Sequence, residues 1–216
     1  MLTVVVRVWM PDRPGALGQV ASRIGAVRGD VLGIEILEQG AGRAIDELTV
    51  QLPDPALIPL LTAEIDAVDG VSVENIREVD HERSDANLAA LAVAAGLAEC
   101  PADRRLAALC TGVQRIVEAD WVVAVRDGDV VSQLGDVPDI AWLSAFLAGS
   151  GHLDGADERS TGGRQRTTPY ERPSDLVWAN LLETGLTVAA GRTGRPIHER
   201  ERVRISLLAR LADALL

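Results

Sequence analysis

The residues best suited to binding chemistry lie in the segment MPDRPGALG, residues 10–18, directly after an apolar run. Pro14 presets φ for a helix start, where its missing N–H costs little. Gly15 has no Cβ, so a ligand can approach it closely. The first amides of a helix lack intrahelical partners and can hold a carboxylate, while Asp12 can meet an ammonium group. The segment therefore offers groups for both charges of a free α-amino acid.

A purely structural interpretation of the same segment stays open. Asp12 can cap the helix, and Pro14 with Gly15 can simply turn the chain from a strand into a helix. Arg13 is expected to point into solvent, as a single loop arginine usually does. The segment alone does not distinguish a ligand-binding role from a helix-capping role. The surrounding elements are needed to decide between them.

These elements follow the order β-α-β-β-α-β over the first eighty residues. Alternating apolar residues predict strands around 2–9, 31–38, 48–52 and 71–79. Helical spacing predicts two helices, with the apolar faces Leu17, Val20, Ala21, Ile24 and Leu57, Leu61, Ile65, Val68. This split βαβ order predicts a ferredoxin-like, four-stranded antiparallel sheet with both helices on one face. The other face would be bare, so a homodimer is the expected cover.

An apolar strand, DRPGAL, a helix and GDVLGIEI, in this element order, resemble the ACT domain, a regulatory module that binds amino acids. The resemblance covers residues 3 to about 80, and it implies a ligand held between two subunits by this loop and the start of the second strand. Carried over by position, the ligand-binding residues are Met10, Pro11, Asp12, Arg13, Pro14, Gly15, Ala16, Leu17, Val31, Leu32, Gly33 and Ile34. Met10 and Leu32 are apolar where some members have polar side chains, which favours an apolar amino acid such as leucine, valine, isoleucine or methionine.

A polar segment, residues 81–87, is the expected linker between a domain at 1–80 and a second domain at 88–216. Spacing and turn signals in the second domain predict helices near 88–99, 103–119 and 140–149, a hairpin with the turn RDGD, and strands near 175–181 and 185–192. A last helix is expected over 198–216, with an apolar side of Val203, Leu207, Leu208, Leu211 and Leu215. The Gly- and Ser-rich residues 149–163 predict a mobile loop that contains His152, and basic residues follow over 159–172.

The element order of the second domain resembles the GAF domain, which has a central antiparallel sheet, flanking helices from both ends and a long loop beside a pocket. The ending LTVAAGRTGRPIHERERVRISLLARLADAL carries most of the resemblance. It implies either dimerisation or binding of a nucleotide or another small molecule. No residue set for a particular ligand is recognised in it.

Composition excludes several classes of function. The net charge of −11 argues against a nucleic-acid partner, because phosphate binding needs a basic face. With 47% hydrophobic and 3% aromatic residues, the cores must be aliphatic. Cys100 and Cys110 are expected to be reduced thiols. No apolar run reaches the roughly 18 residues of a membrane span, and the start lacks a secretory leader, so a soluble cytoplasmic protein is expected.

No catalytic constellation is recognised either. The sequence lacks a G-x-S-x-G elbow, a Walker loop and a Rossmann fingerprint, and its three histidines show no metal spacing. We therefore expect an α+β protein without a cofactor: a non-enzymatic sensor that binds a free amino acid at the ACT dimer interface. The GAF-like domain would dimerise or pass the signal to a protein partner. The alternative is that the GAF-like domain senses a nucleotide or other ligand while the ACT domain only dimerises.

Overall fold

The structure, a computed structural model, describes residues 1–83, 85–150 and 175–216. The chain divides into two compact units, Met1–Asp85 and Ala86–Leu216, and the boundary falls inside the polar segment 81–87. Most of the predicted loop 149–163, including His152, and the basic residues 159–172 lie outside the described residues. Within the described residues, no helix combines the length and the apolar character that crossing a membrane requires.

The first unit has the six predicted elements in the predicted order. They are β1 (Leu2–Pro11), α1 (Ala16–Ala26), β2 (Asp30–Gly40), β3 (Arg43–Leu52), α2 (Ile58–Asp66) and β4 (Ser72–Val79), with a short 3-10 turn at Pro55–Leu57. The sheet order is β2-β3-β1-β4, and all its neighbouring strands are antiparallel. The four-stranded antiparallel sheet that the alternating pattern predicts is therefore confirmed.

Both helices pack on one face of this sheet, also as predicted. Val4, Val6 and Val8 of β1 face them, and the helices contribute the buried residues Val20, Ile24, Leu61 and Ile65. Because all these side chains are aliphatic, the core forms by interdigitation of branched side chains rather than around an aromatic centre. The packing fixes where β1 ends and α1 begins, which is the junction that holds the candidate binding loop.

The expectation of a bare opposite face is wrong for the two central strands. Val5 is 0% exposed and Arg7 is 2% exposed. Arg7 Nε donates to Glu47 Oε2 at 2.7 Å, and Arg83 Nη2 donates to Glu47 Oε1 at 3.3 Å. Polar residues at alternate strand positions usually indicate a solvated face, but here they pair with each other and are buried. A homodimer stays a prediction, and it needs support other than a bare sheet face.

Among its described residues, the second unit contains nine elements in the expected sequence of helices, hairpin and strands. They are α3 (Ala86–Glu99), a 3-10 turn (Ala102–Arg104), α4 (Arg105–Val117), β5 (Trp121–Arg126), β6 (Asp129–Gly135), α5 (Ile140–Ser150), β7 (Leu176–Leu181), β8 (Leu186–Gly191) and α6 (Glu199–Asp213). The sheet order is β6-β5-β8-β7, again antiparallel. Asp127 and Gly128 join β5 to β6 with positive φ angles of 53° and 88°, as a type I′ turn requires.

Helices cover both faces of the second sheet. Val122 and Ala124 of β5 belong to a core that includes residues of α4 and α6, while Val123 and Val125 pack with Leu143 of α5. A Cβ at Gly191 would lie 2.4 Å from Trp121 Cζ2, so this strand position must be glycine for the indole to lie across it. An antiparallel sheet flanked by helices is thus present, and the assignment to the GAF family stays a prediction.

The predicted apolar side of α6 is partly wrong. Leu208 is buried, together with Ile205, Ala209 and Ala212, whereas Val203 and Leu207 are 51% and 56% exposed. The buried side also contains Glu201 and Arg204. A prediction from apolar residues alone excluded these charged positions from the buried face, and so it included the exposed Val203 and Leu207 in their place.

Candidate functional site

The segment between β1 and α1 is held against the turn between β2 and β3. Asp12 N donates to Gly42 O at 2.9 Å, and Arg13 N donates to Pro11 O at 2.9 Å. Asp12, Arg13, Pro14 and Gly15 are exposed. The backbone of this loop is therefore fixed by hydrogen bonds while its side chains face solvent, as a preformed binding loop requires.

The start of α1 is capped by glycine and not by Asp12. Gly15 is the N-cap residue, its φ of 89° lies in the left-handed region, and no side chain of the described residues caps the helix. The positive φ explains why glycine stands here, because other residues are strained in this conformation. The capping interpretation of Asp12 is thus wrong, and its carboxylate does not bond the helix amides.

The first turn of α1 has amides available to a ligand. Ala16 N donates to Arg13 O at 3.2 Å, and Gln19 N donates to Gly15 O at 3.1 Å. Within the described part of the chain, the amides of Leu17 and Gly18 make no backbone hydrogen bond. A Cβ built at Gly15 or at Gly18 would meet no atom within 4 Å, so the space beside them is open. Such a helix start favours an anionic group such as a carboxylate.

A buried carboxyl group, Asp46, lies near this loop. Asp46 pairs with Val8 in the β1–β3 register and therefore points to the face of the sheet that carries the helices. It is 3% exposed, and its Oδ1 atom has no hydrogen-bond partner in the described structure. Burial and the negative charge of Asp12 raise the pKa of Asp46. An unpaired buried carboxyl is costly, because it loses hydration without gaining a partner.

Asp46 was missed by the sequence analysis, although a signal for it exists. Leu48, Val50 and Leu52 alternate on the inward face of β3, and the same period of two extends back to Asp46 and Ala44. A charged residue at an inward strand position is unusual and often marks a site. The predicted strand did not extend to Asp46, because only the alternation of Leu48, Val50 and Leu52 was used to place it.

The other predicted site residues near the loop differ in how deeply they are buried. Met10 and Ala16 are core residues, and Pro11 and Leu17 are half-buried. The Met10 side chain packs among the core valines, so it contributes to the stability of the unit. The residues of this group that present polar atoms or open space at the surface are those from Asp12 to Gly15.

The second predicted group, Val31 to Ile34, lies elsewhere on the same chain. Val31 is level with Val50 and Val4, and Ile34 is level with Leu48 and Val6, whereas the loop follows the far end of β1. At about 3.3 Å per residue, the two groups are roughly 15–25 Å apart along the strands. Leu32 and Ile34 are 48% and 47% exposed on the edge strand β2. One chain alone therefore does not bring the two groups together.

The part of the chain that is described contains no assembled site for metal or thiol chemistry. It contains no group of three or more His, Cys, Asp or Glu side chains placed to hold a metal ion. Cys100 and Cys110 are both free thiols, and burial raises the pKa of Cys110. Asp12 and Asp46 by themselves supply only two carboxylates.

Comparison with known proteins gives weak similarities. No family model and no curated protein matches the chain. An ACT domain from the GTP pyrophosphokinase of Chlorobium tepidum is 15% identical over 36% of this chain and 97% of its own, with a TM-score of 0.30. A putative glycine cleavage system transcriptional repressor is 14% identical over 71% of this chain and 92% of its own, with a TM-score of 0.31. An unknown protein from Galdieria sulphuraria is 17% identical over 44% of this chain and 64% of its own, with a TM-score of 0.33.

Proposed function

We propose that this chain is a non-enzymatic regulatory protein that binds a free amino acid at the start of α1. The observation that carries the proposal is the combination of open first-turn amides at Leu17 and Gly18 with the carboxyl groups of Asp12 and Asp46. The amides suit the ligand's carboxylate, and the carboxyl groups suit its ammonium. A zwitterion satisfies both sets of groups, whereas an inorganic anion would satisfy only the first.

A homodimer would complete the site with the second predicted group of residues. The edge strand β2 exposes Leu32, Ile34 and Ile36, and exposed edges of this kind favour pairing with another chain. If two copies of β2 pair antiparallel about Glu35, residues 31–34 of the second copy come opposite residues 36–39 of the first. Those residues adjoin the turn to which Asp12 is bonded. The ligand would then lie between two chains, as the resemblance to ACT domains implies.

Regulation would follow from this placement. A ligand that contacts both copies binds the paired arrangement more tightly than the separate chains, and only such a difference in affinity can shift the equilibrium between them. We propose that the second unit, whose GAF-like character remains part of the proposal, adds a dimer contact or passes the change to a protein partner. The preference for an apolar ligand side chain rests on Leu32, since Met10 belongs to the core.

A thermal-shift screen of the full chain with the twenty amino acids tests the proposed function. A ligand that binds only the folded state must raise the melting temperature. At 100 times its Kd, such a ligand adds about 2.7 kcal/mol to the free energy of unfolding. We expect one amino acid, or a few of similar side chain, to do so. If no amino acid raises the melting temperature, the proposed function is wrong.

Asp12→Asn provides the matched variant for this screen. It removes the exposed carboxylate that faces the ligand's ammonium, so we expect the shift produced by the binding amino acid to shrink. Asp69→Asn, an equal charge change at an exposed position between α2 and β4, serves as control and should leave the shift unchanged.

A further inference from the structure

We propose that Asp46 is the buried receptor for a primary ammonium group of the ligand, a role that rests on the proposed amino-acid site. The sequence pattern of the loop does not indicate Asp46, because this residue lies on β3, thirty-four positions after Asp12. It would make β3, and not only the loop, a determinant of ligand choice.

Among the described residues, Asp46 has no hydrogen-bond partner at Oδ1, although buried carboxyl groups ordinarily have one. Its side chain is 3% exposed, and its Oδ1 atom makes no hydrogen bond in the described structure. Buried polar atoms of native proteins are almost always satisfied, and an exception calls for a ligand, an ion or a function. The other buried carboxyl group of β3, Glu47, shows the ordinary situation, because Arg7 and Arg83 bind it.

The charge near Asp46 has the same sign as its own carboxylate. Burial and, after it, the like charge of Asp12 raise the pKa of the Asp46 carboxyl. Among the described residues, no ion pair joins a cation to either acid, and a ligand's cation placed near both would favour their ionised forms. The adjacent helix start is itself electropositive, so it favours the ligand's carboxylate and leaves the two acids to its cationic group.

The small number of available ligands favours an ammonium group over a metal ion. Calcium takes six to eight oxygen ligands, and magnesium demands near-octahedral geometry. The described residues supply two carboxyl groups here and no third metal-ligating side chain. A primary ammonium has three donors, and it can bond one oxygen of each acid while its hydrocarbon part lies against the aliphatic core.

The ammonium can come from either end of an amino acid. It is the α-ammonium if the side chain is apolar, and the side-chain ammonium if the ligand is a basic amino acid that gives its α-ammonium to Asp12. Four six-carbon probes separate these sources: L-lysine has both ammonium groups, L-norleucine only the α group, 6-aminohexanoate only the terminal group, and hexanoate neither.

Calorimetric titration of the full chain and of Asp46→Asn with these four probes tests the proposal. If Asp46 binds the α-ammonium, Asp46→Asn weakens L-lysine and L-norleucine roughly 10- to 100-fold and leaves 6-aminohexanoate unchanged. If it binds the terminal ammonium, the variant weakens L-lysine and 6-aminohexanoate and leaves L-norleucine unchanged. In both cases hexanoate binding is unaffected, and Asp69→Asn behaves as the parent does.

Other outcomes overturn the proposal. Equal binding of every probe to the parent and to Asp46→Asn excludes Asp46 from the site, and equal weakening of all four, hexanoate included, shows a structural role. Because Asp46→Asn removes an unpaired buried acid, we expect it to fold, which far-ultraviolet circular dichroism checks. If some amino acid stabilises the parent while Asp46→Asn binds it equally, only this inference fails. If no amino acid binds the parent, the proposed function fails as well.

Discussion

Asp46 illustrates how a single side chain can cost stability in the unliganded chain and favour binding. Its carboxyl group is buried, faces the charge of Asp12, and has an oxygen that no described residue bonds. Each of these features favours the protonated form. The folded state therefore holds the Asp46 proton more tightly than the unfolded state does, so the stability of the fold decreases as the pH rises above the ordinary pKa of the carboxyl.

Asp46→Asn should therefore stabilise the unliganded chain. At pH 7 we expect a gain of about 1–3 kcal/mol, because a buried unpaired charge is removed. The ordinary pKa of the carboxyl is 3.8, and its folded value is higher. The gain should be absent below pH 3.8, grow as the pH rises from 3.8 to the folded value, and be constant above it. Melting curves at a series of pH values measure it, and a gain that does not change with pH would contradict this account.

At the scale of elements, buried polar groups join the loop after β8 to α6. Arg192 donates to both carboxylate oxygens of Glu201, at 2.9 and 2.8 Å, and to the carbonyl oxygens of Val117, Arg195 and Pro196. Glu201 also accepts from the backbone N–H of His198 at 3.0 Å, which closes the start of α6. At the other end of this helix, Asp213 accepts the N–H groups of Glu183 and Thr184, which fixes the turn between β7 and β8.

Arg192→Ala should destabilise the second unit strongly. It leaves Glu201 buried without its cation, and breaking a buried pair in this way costs about 3–5 kcal/mol. Trp121, Trp142 and Trp178 lie in this unit, so tryptophan fluorescence during urea unfolding reports the loss. Arg126→Ala, at the exposed end of β5, is the control. A change below 1 kcal/mol in Arg192→Ala would contradict the assigned role of the pair.

At the scale of the whole molecule, two units have separate cores, and the first has an apolar edge. The three hydrophobic clusters each lie within one unit. The edge strand β2 exposes Leu32, Ile34 and Ile36 on the first unit. Since the central strands of its sheet are buried on both faces, this edge is the surface of the first unit on which the predicted homodimer now rests.

Ile34→Arg should separate such a dimer. Two copies paired antiparallel about Glu35 would bring the introduced charges close together, and like charges at a strand interface are unfavourable. Light scattering after size-exclusion chromatography should give the mass of two chains for the parent and of one chain for Ile34→Arg. Leu60→Arg, which changes an exposed leucine of α2, is the control. A parent that elutes as a single chain at every concentration, with and without the binding amino acid, would exclude the dimer.

Local patterns were sufficient to predict the elements of this chain. Alternation in LTVVVRVW, helical spacing from Leu17 to Ile24 and the RDGD turn each depend on a few neighbouring residues, and each corresponds to an observed element. The loop DRPG was also predicted at the right junction. Its strand and helix follow from period two and period 3.6, which are properties of the backbone and need no information about distant contacts.

Contacts between distant positions were beyond these patterns. Glu47 is buried because Arg7, forty residues earlier, bonds it, and the buried side of α6 includes Glu201 because Arg192 pairs with it. In each case a charged residue lies inside, against the rule that apolar residues define the core. Whether such a charged residue is buried depends on its pairing partner. Strand register and helix packing determine which partner it meets.

The sequence by itself determined the order of elements, the antiparallel sheet of the first unit and the position of the strand-to-helix junction at its candidate site. Only the tertiary structure decided that Asp12 leaves the helix uncapped, that Asp46 lies buried near it, and that residues 31–34 are at the far end of the same sheet. The physical reason is the range of the forces involved. Backbone preferences act over a few residues, whereas burial, ion pairing and the repulsion of two acids depend on distances that only the folded chain sets.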